Sequence, residues 1–407
     1  MTHRMSIGAF VLCFASLAAS LPADDAPVVI DNQTLTLPAA QNTAISPACA
    51  KQAGELIHRG LAYLAAQQQT DGGWSIDGAF EPAITALVLK AFLQHPGFSP
   101  QTPMVKKALD RLLTLQQPNG SFGDPKQGQI NYTTAIAVTA LASAKDPAFK
   151  PAIDQALAYL RSVQIVPGSE SPDGGKIGED HPYLGGVSYG EHGRPDLSNV
   201  GWWMEAMHDA GVPADDPSVQ RALKFVERCQ NRSESNTLAW AAEGPNDGGF
   251  IYAPAMKDIK VGESKAGTGP NGKGLASYGS ISYVGWKSML YAGLKHDDPR
   301  VQGVYSWIRQ HWTLTENPNM PKSQSQEGVY YYYLALARAL QAFGLAEIPV
   351  GADKTPHNWR DDLVTELATR VHPDGSFYNG QASRWSEGNP VLVTAYAIQA
   401  LEETLRK

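Results

Sequence analysis

Cysteine is scarce: the chain has three in 407 residues, Cys13, Cys49 and Cys229. The latter two stand 180 positions apart, which is no metal-ligand spacing, and neither a metal nor a cofactor is expected. Positive charge is also short. The formal charge is −7 and is spread along the sequence, without the basic face or stripe that a nucleic-acid partner requires. Long apolar runs are missing after the first twenty residues. The one at the start, Ile7 to Leu17, falls short of the roughly 20 residues that span a bilayer. It follows His3 and Arg4 and leads to Ala18, Ala19 and Ser20 before Pro22, which is the pattern of a secretory signal. Residues 1–22 are therefore expected to be a signal peptide and 23–47 a flexible leader, with export to the periplasm or the exterior. A retained anchor is the alternative, and peripheral membrane contact stays open.

What the chain does contain is a recurring unit. The hydrophobic fraction is 43%, enough for a substantial core. QQQTDGGW ends at Trp74, LQQPNGSF at Phe122 and HPDGSF at Phe377, each closing a helical run with a glycine turn and an aromatic. Weaker copies are NDGGF at Phe250, PDGGK at Lys176 and ENPNM. The turn residues Asp71, Asn119, Asp173, Asp247, Asn319 and Asp374 recur at intervals of 48 to 74 positions, a period that implies stacked supersecondary units.

A second apolar run follows each turn, such as PAITALVLKAFL or NPVLVTAYAIQALEETL. These runs are rich in Ala and Leu, lack internal proline and are apolar nearly all round, whereas the runs before the turns carry charge on one side, as in Arg221, Lys224, Glu227 and Arg228. Six pairs, each with one buried and one half-exposed helix, predict an all-α (α/α)6 toroid over residues 48–407. The inner helices are expected near 82–94, 131–144, 197–210, 280–293, 328–343 and 390–405. An open solenoid would need polar capping repeats, yet the last run is as apolar as the middle ones.

RGLAYLAAQQQTDGGW, Arg59 to Trp74, and KALDRLLTLQQPNGSF, Lys107 to Phe122, resemble the QW repeat of the terpenoid cyclase and protein prenyltransferase superfamily, whose members are α/α toroids. The resemblance implies chemistry inside the hole, near the starts of the inner helices. Squalene cyclases carry a D-x-D-D-T-A motif there. The Thr-Ala register occurs at Thr85-Ala86, Thr134-Ala135 and Thr394-Ala395, but Ala83, Tyr132 and Leu392 stand where the proton-donating Asp belongs. The prenyltransferase zinc set is missing as well, with Tyr278 and Ser280 at its Asp and Cys positions, and neither Cys49 nor Cys229 carries a thioester loop.

Other candidates come from position alone. The insertion 165–200 brings Glu191, His192, Arg194 and Asp196 to the start of an inner helix that presents Trp202, Trp203 and Glu205. Asp196, His192 and Glu81 are the candidate acid–base residues; Asp196 as a helix cap and Glu81 as an ordinary first-turn residue are the structural alternatives. Trp202, Tyr283, Trp286, Glu327, Tyr330 and Tyr332 are the candidate ligand-binding residues, with core packing as the alternative for the rings. Asp216, Asp298 and Asp361 read as caps of outer helices. Helix N-termini at the mouth are expected to lower carboxylate pKa values and so oppose an alkene-protonating acid. The expected function is a toroid that holds an apolar, isoprenoid-like small molecule or lipid without the catalytic sets of known relatives. A non-catalytic scaffold and an exported carbohydrate-active enzyme are the alternatives.

Overall fold

The computed structural model describes residues 45–406, apart from 77, 79–80, 125, 127, 191–192, 255–261, 270–271 and 352–353, together with the short antiparallel pair Val29–Ile30 and Gln33–Thr34. The expected signal peptide and most of the leader lie outside the described residues, as does His192.

Thirteen α-helices are described: α1 (Pro47–Ala66), α2 (Glu81–Gln94), α3 (Pro103–Thr114), α4 (Ile130–Ser143), α5 (Lys150–Ser162), α6 (Leu197–Asp209), α7 (Pro217–Glu227), the short α8 (Ala239–Glu243), α9 (Gly279–Tyr291), α10 (Pro299–Gln310), α11 (Val329–Phe343), α12 (Trp359–Ala368) and α13 (Pro390–Leu405). The inner helices α2, α4, α6, α9, α11 and α13 pack in that order, and α13 packs back on α2, so the ring closes. The outer helices α1, α3, α5, α7, α10 and α12 each lie against inner ones. One further antiparallel hairpin pairs Glu347–Val350 with Thr355–Asn358. The architecture is the expected all-α toroid.

Outer helices start where local chemistry allows. Pro47, Pro103, Pro217 and Pro299 occupy first positions whose N–H would be unpaired anyway. The Ser46, Asp216 and Asp298 side chains accept N–H bonds in those first turns. Asp361 instead accepts from the backbone N–H of Ser46, at 2.8 Å, and so ties α12 to the start of α1.

The recurring Gln-Gly-aromatic stretch proves to be a joint between units. Gln68 Nε2 donates to Gly72 O in its own turn, at 2.8 Å, and to Met104 O in the next outer helix, at 2.9 Å. Gln116 repeats this with Gly120 and Ala152, Gln164 with Gly185 and Ser218, and Gln230 with Gly248 and Arg300. The aromatic's backbone N–H is received by a hydroxyl on the following inner helix: Trp74 by Thr85, Phe122 by Thr134, Phe250 by Ser282 and Phe377 by Thr394, at 2.8–3.0 Å. The Thr-Ala register therefore serves this joint.

The turn glycines have positive φ and abut the backbone of an outer helix; a Cβ at Gly185 would lie 1.8 Å from Arg221 O. This corrects the expected third repeat. Its turn is at Gly185, and the PDGG stretch with Asp173 belongs to the insertion, where Asp173 accepts from the Tyr183 hydroxyl at 2.8 Å.

The inner helices are not apolar all round. Lys90, Glu205, Lys287 and Arg338 are at most 5% exposed and meet across the hole, with Glu205 at the centre. Glu205 lies 3.1 Å from Lys90 and 2.6 Å from Arg338 and also pairs with Lys287; Lys90 reaches Asp209 at 2.7 Å. The three cations hold the Glu205 carboxyl well below the usual range despite its burial. Single charged positions in long apolar runs are read as noise along one strand of sequence, whereas ring closure gathers them into one layer. Cys49 and Cys229 are both unpaired thiols.

Candidate functional site

A cavity of about 250 Å³ opens among the N-terminal ends of the inner helices. Its aliphatic wall comes from Ile84 and Leu87 on α2, Ile281 on α9 and Leu392 on α13. Its aromatic wall consists of Tyr132, Tyr189, Tyr252, Tyr278, Tyr331 and Tyr396. Ser198, Ser280, Lys265, Trp385 and Glu387 also face it. From Ser198 at the cavity to Glu205 in the ionic layer, α6 rises about 10 Å, so the two are successive levels of the same hole.

The expected site residues separate on this geometry. Asp196 caps α6, accepting Asn199 N at 3.0 Å and Asn199 Nδ2 at 2.7 Å, and is 3% exposed. Burial pushes its carboxyl up to about 6, because hydrogen bonds from Asn199 and Tyr252 offset desolvation only in part. Glu81 and Glu327 do not line the cavity. Glu81 holds Arg111 through two bonds of 2.7 Å, and Glu327 pairs with Arg384 at 2.7 Å. Each lies where a cation on a neighbouring segment reaches it first.

Among the rings, Tyr283 packs on Trp286 and Tyr332 inside the core, with centroids 6.3 and 5.7 Å away. The Tyr332 hydroxyl donates to Thr313 O at 2.7 Å and that of Tyr330 to Tyr378 O at 3.4 Å, so both point away from the hole. A helix turns about 100° per residue, and of the four consecutive tyrosines it is Tyr331 that faces the cavity. Trp202 lies just outside the lining, edge-on to Tyr132 at 6.1 Å, with the Arg338 guanidinium 5.2 Å from its ring centre.

Glu387 was missed. It sits in the loop before α13, 1% exposed, and its Oε1 accepts the backbone N–H groups of Tyr330 and Tyr331 at 3.0 and 2.8 Å, while Oε2 accepts from Asn379 Nδ2 at 2.9 Å. Even so, burial raises its carboxyl to about 7. The expectation that helix N-termini would depress carboxylates at this mouth is thus overturned for both Asp196 and Glu387: desolvation outweighs the dipole. A lone acid a few residues before an inner helix was the signal, the same one that singled out Asp196. The cavity tyrosines on loops, Tyr189, Tyr252 and Tyr278, carried no such signal.

At the mouth, Trp385 is 44% exposed, has φ +56° and stacks beneath the Arg384 guanidinium at 4.8 Å. Lys265 lies 4.3 Å from the centre of the Tyr252 ring and pairs with Glu263. The lining therefore offers an aromatic and aliphatic chamber with one buried carboxyl, Glu387, and one cation, Lys265, while Asp196 caps α6 outside it.

Residues 76–253 match the family of squalene-hopene cyclase C-terminal domains. No curated protein sequence matches the chain. Among solved structures, a variant of the type II terpene cyclase MstE from Scytonema in complex with geranylgeranyl dihydroxybenzoate aligns with TM-score 0.50 at 14% identity, over 87% of this chain and 98% of that one. A variant of the α-1,6-mannanase GH76A of Salegentibacter sp. HEL1_6 in complex with α-1,6-mannotriose aligns with TM-score 0.56 at 9% identity, over 87% and 99%. At these identities the structural likeness is one of fold. The chain is thus terpenoid cyclase-like in fold, and the family match lies on α2 to α8 and the loops around them.

Proposed function

We propose that the protein holds an apolar, isoprenoid-like ligand in the chamber at the N-terminal mouth of its inner ring. The observation that carries this reading is the lining itself, in which aliphatic side chains from three inner helices face a wall of tyrosine rings. Apolar burial supplies affinity there and π faces add to it. At about 250 Å³ the chamber is smaller than the roughly 300–1,000 Å³ of drug-sized sites, so it takes a short ligand or one end of a long one. The MstE relative's prenylated ligand supports the same class. The Asp of squalene-type cyclisation is missing, and the buried carboxyl of Glu387 in the lining suits milder proton transfer.

A second reading, a carbohydrate-active enzyme, is favoured by the tyrosine hydroxyls of the lining and by the mannanase fold. Titrating purified protein with farnesol and with α-1,6-mannotriose separates the two. Saturable binding of farnesol alone supports the first reading, and binding of the trisaccharide alone overturns it. Export completes the proposal, on the signal pattern at residues 1–22. The mass of the mature protein tests it, and a product beginning at Met1 sinks it.

A further inference from the structure

Glu387 does more than face the chamber: it pins the base of a loop. The backbone N–H of Asn379 donates to Glu387 O at 2.8 Å, and Asn379 Nδ2 reaches Glu387 Oε2 at 2.9 Å and Gln326 O at 2.7 Å. With Glu387 Oε1 on N–H groups in the first turn of α11, both ends of the segment 379–387 are fixed side by side. A compact loop tied in this way can move at its tip while its base stays put.

The tip, 380–386, is exposed except at Ala382, and its backbone bonds stay within the loop: Gln381 and Ala382 donate to Asn379 Oδ1, and Glu387 donates to Arg384 O. Trp385 stands there, 44% exposed yet lining the chamber. Trp385 and Ser386, at φ +56° and +64°, are both held in the left-handed region, which strains residues other than glycine. The ring closes against Gly328, where a Cβ would meet it at 2.9 Å, and Arg384 stacks on it while pairing with Glu327 at 2.7 Å. Partial burial and an exposed ion pair hold the tip weakly, whereas the walls on the inner helices are fixed by the packing of the ring.

We propose that this tip is a gate to the chamber, with Trp385 as its moving part and the Arg384–Glu327 pair as its latch. Opening gives up the ion pair and some burial of the ring but releases the strain at Trp385 and Ser386, so the open form stays within reach of the closed one. The gate serves whichever ligand class the chamber takes.

Stopped-flow fluorescence of the full chain mixed with 1-aminoanthracene, a flat, neutral, apolar probe, tests this. Because the probe is no isoprenoid, its failure and that of the isoprenoid reading are separate results. In Trp385→Ala the association and dissociation rate constants are both expected to rise at least about tenfold, since a minor open state is populated at no more than about 10%, while Kd stays within about threefold. Glu327→Gln leaves the ring in place and should raise both rates about twofold to fivefold, and added salt should do the same in the native protein but not in that variant. A rise in the dissociation rate alone, with affinity lost in proportion, makes Trp385 a fixed part of the wall and overturns the gate. Unchanged rates in Glu327→Gln overturn it as well, and that variant carries the test if Trp385→Ala does not fold. Exclusion of the probe from both the native protein and Trp385→Ala also overturns it.

Discussion

Neutralising Glu205 tests whether the ionic layer is a structural unit of the ring. In Glu205→Gln the side chain keeps its volume and loses its charge. Lys90 retains Asp209 at 2.7 Å and Arg338 keeps its bond to Gln399, but Lys287 has no other carboxylate partner given by the structure. Removing one member of a buried pair costs roughly 3–5 kcal/mol, because the remaining charge stays desolvated. With two of the three cations partly compensated, the expected loss is about 4 kcal/mol, a large share of the roughly 5–15 kcal/mol by which domains are stable. Urea unfolding followed by far-UV circular dichroism measures it. Adding Lys287→Met should recover at least about 1 kcal/mol, since the stranded cation is then gone. A loss below about 1 kcal/mol for Glu205→Gln, or no coupling to Lys287→Met, refutes the reasoning, because surface pairs give values of that size. The carboxyls of Glu205 and Asp209 are held low in the fold, so their contribution is present at neutral pH and is lost only as pH falls below the ordinary carboxylate range.

Three other outcomes follow from the same structure. Gly185→Ala places a Cβ 1.8 Å from Arg221 O at φ +83° and should cost at least about 2 kcal/mol, whereas Gly211→Ala, at φ +76° with open space, should cost only about 1 kcal/mol; equal losses would contradict the packing argument. Gln164→Ala removes two buried bonds, one to Gly185 O in its own turn and one to Ser218 O of outer helix α7, and should cost about 2 kcal/mol in the same assay, with a loss under half of that counting against the joint. Glu387 takes up a proton in the folded state at higher pH than when unfolded, so it contributes stability below its unfolded value near 4.5 that is lost as pH rises towards about 7. Wild type should therefore lose about 3 kcal/mol relative to Glu387→Gln between pH 4.5 and 8, and a pH-independent difference would show that its carboxyl titrates normally.

Periodicity determined the six helix pairs and the positions of the inner helices, because each pairing of a one-sided outer helix with an apolar inner one is a local property of composition and spacing. The apolar last run favoured a closed ring, and the packing of α13 on α2 decided it. The Gln-Gly-aromatic joints were legible for a related reason: positive φ at glycine, and an amide that ties off helix-end carbonyls, are demands met within a few residues. Asp196 as a helix cap was equally local. The tertiary structure decided which side chains face the hole. Tyr331 lines the cavity while Tyr330 and Tyr332 do not, a choice set by helix rotation about an axis that only packing defines. Glu81 and Glu327 were claimed by Arg111 and Arg384 from neighbouring segments, contacts between positions 30 and 57 residues apart. The raised carboxyls of Asp196 and Glu387 are the plainest case, because burial is a property of everything around a group and cannot be read from the residues beside it. For the same reason Lys90, Glu205, Lys287 and Arg338, scattered over four helices, become a single layer only when the chain closes on itself.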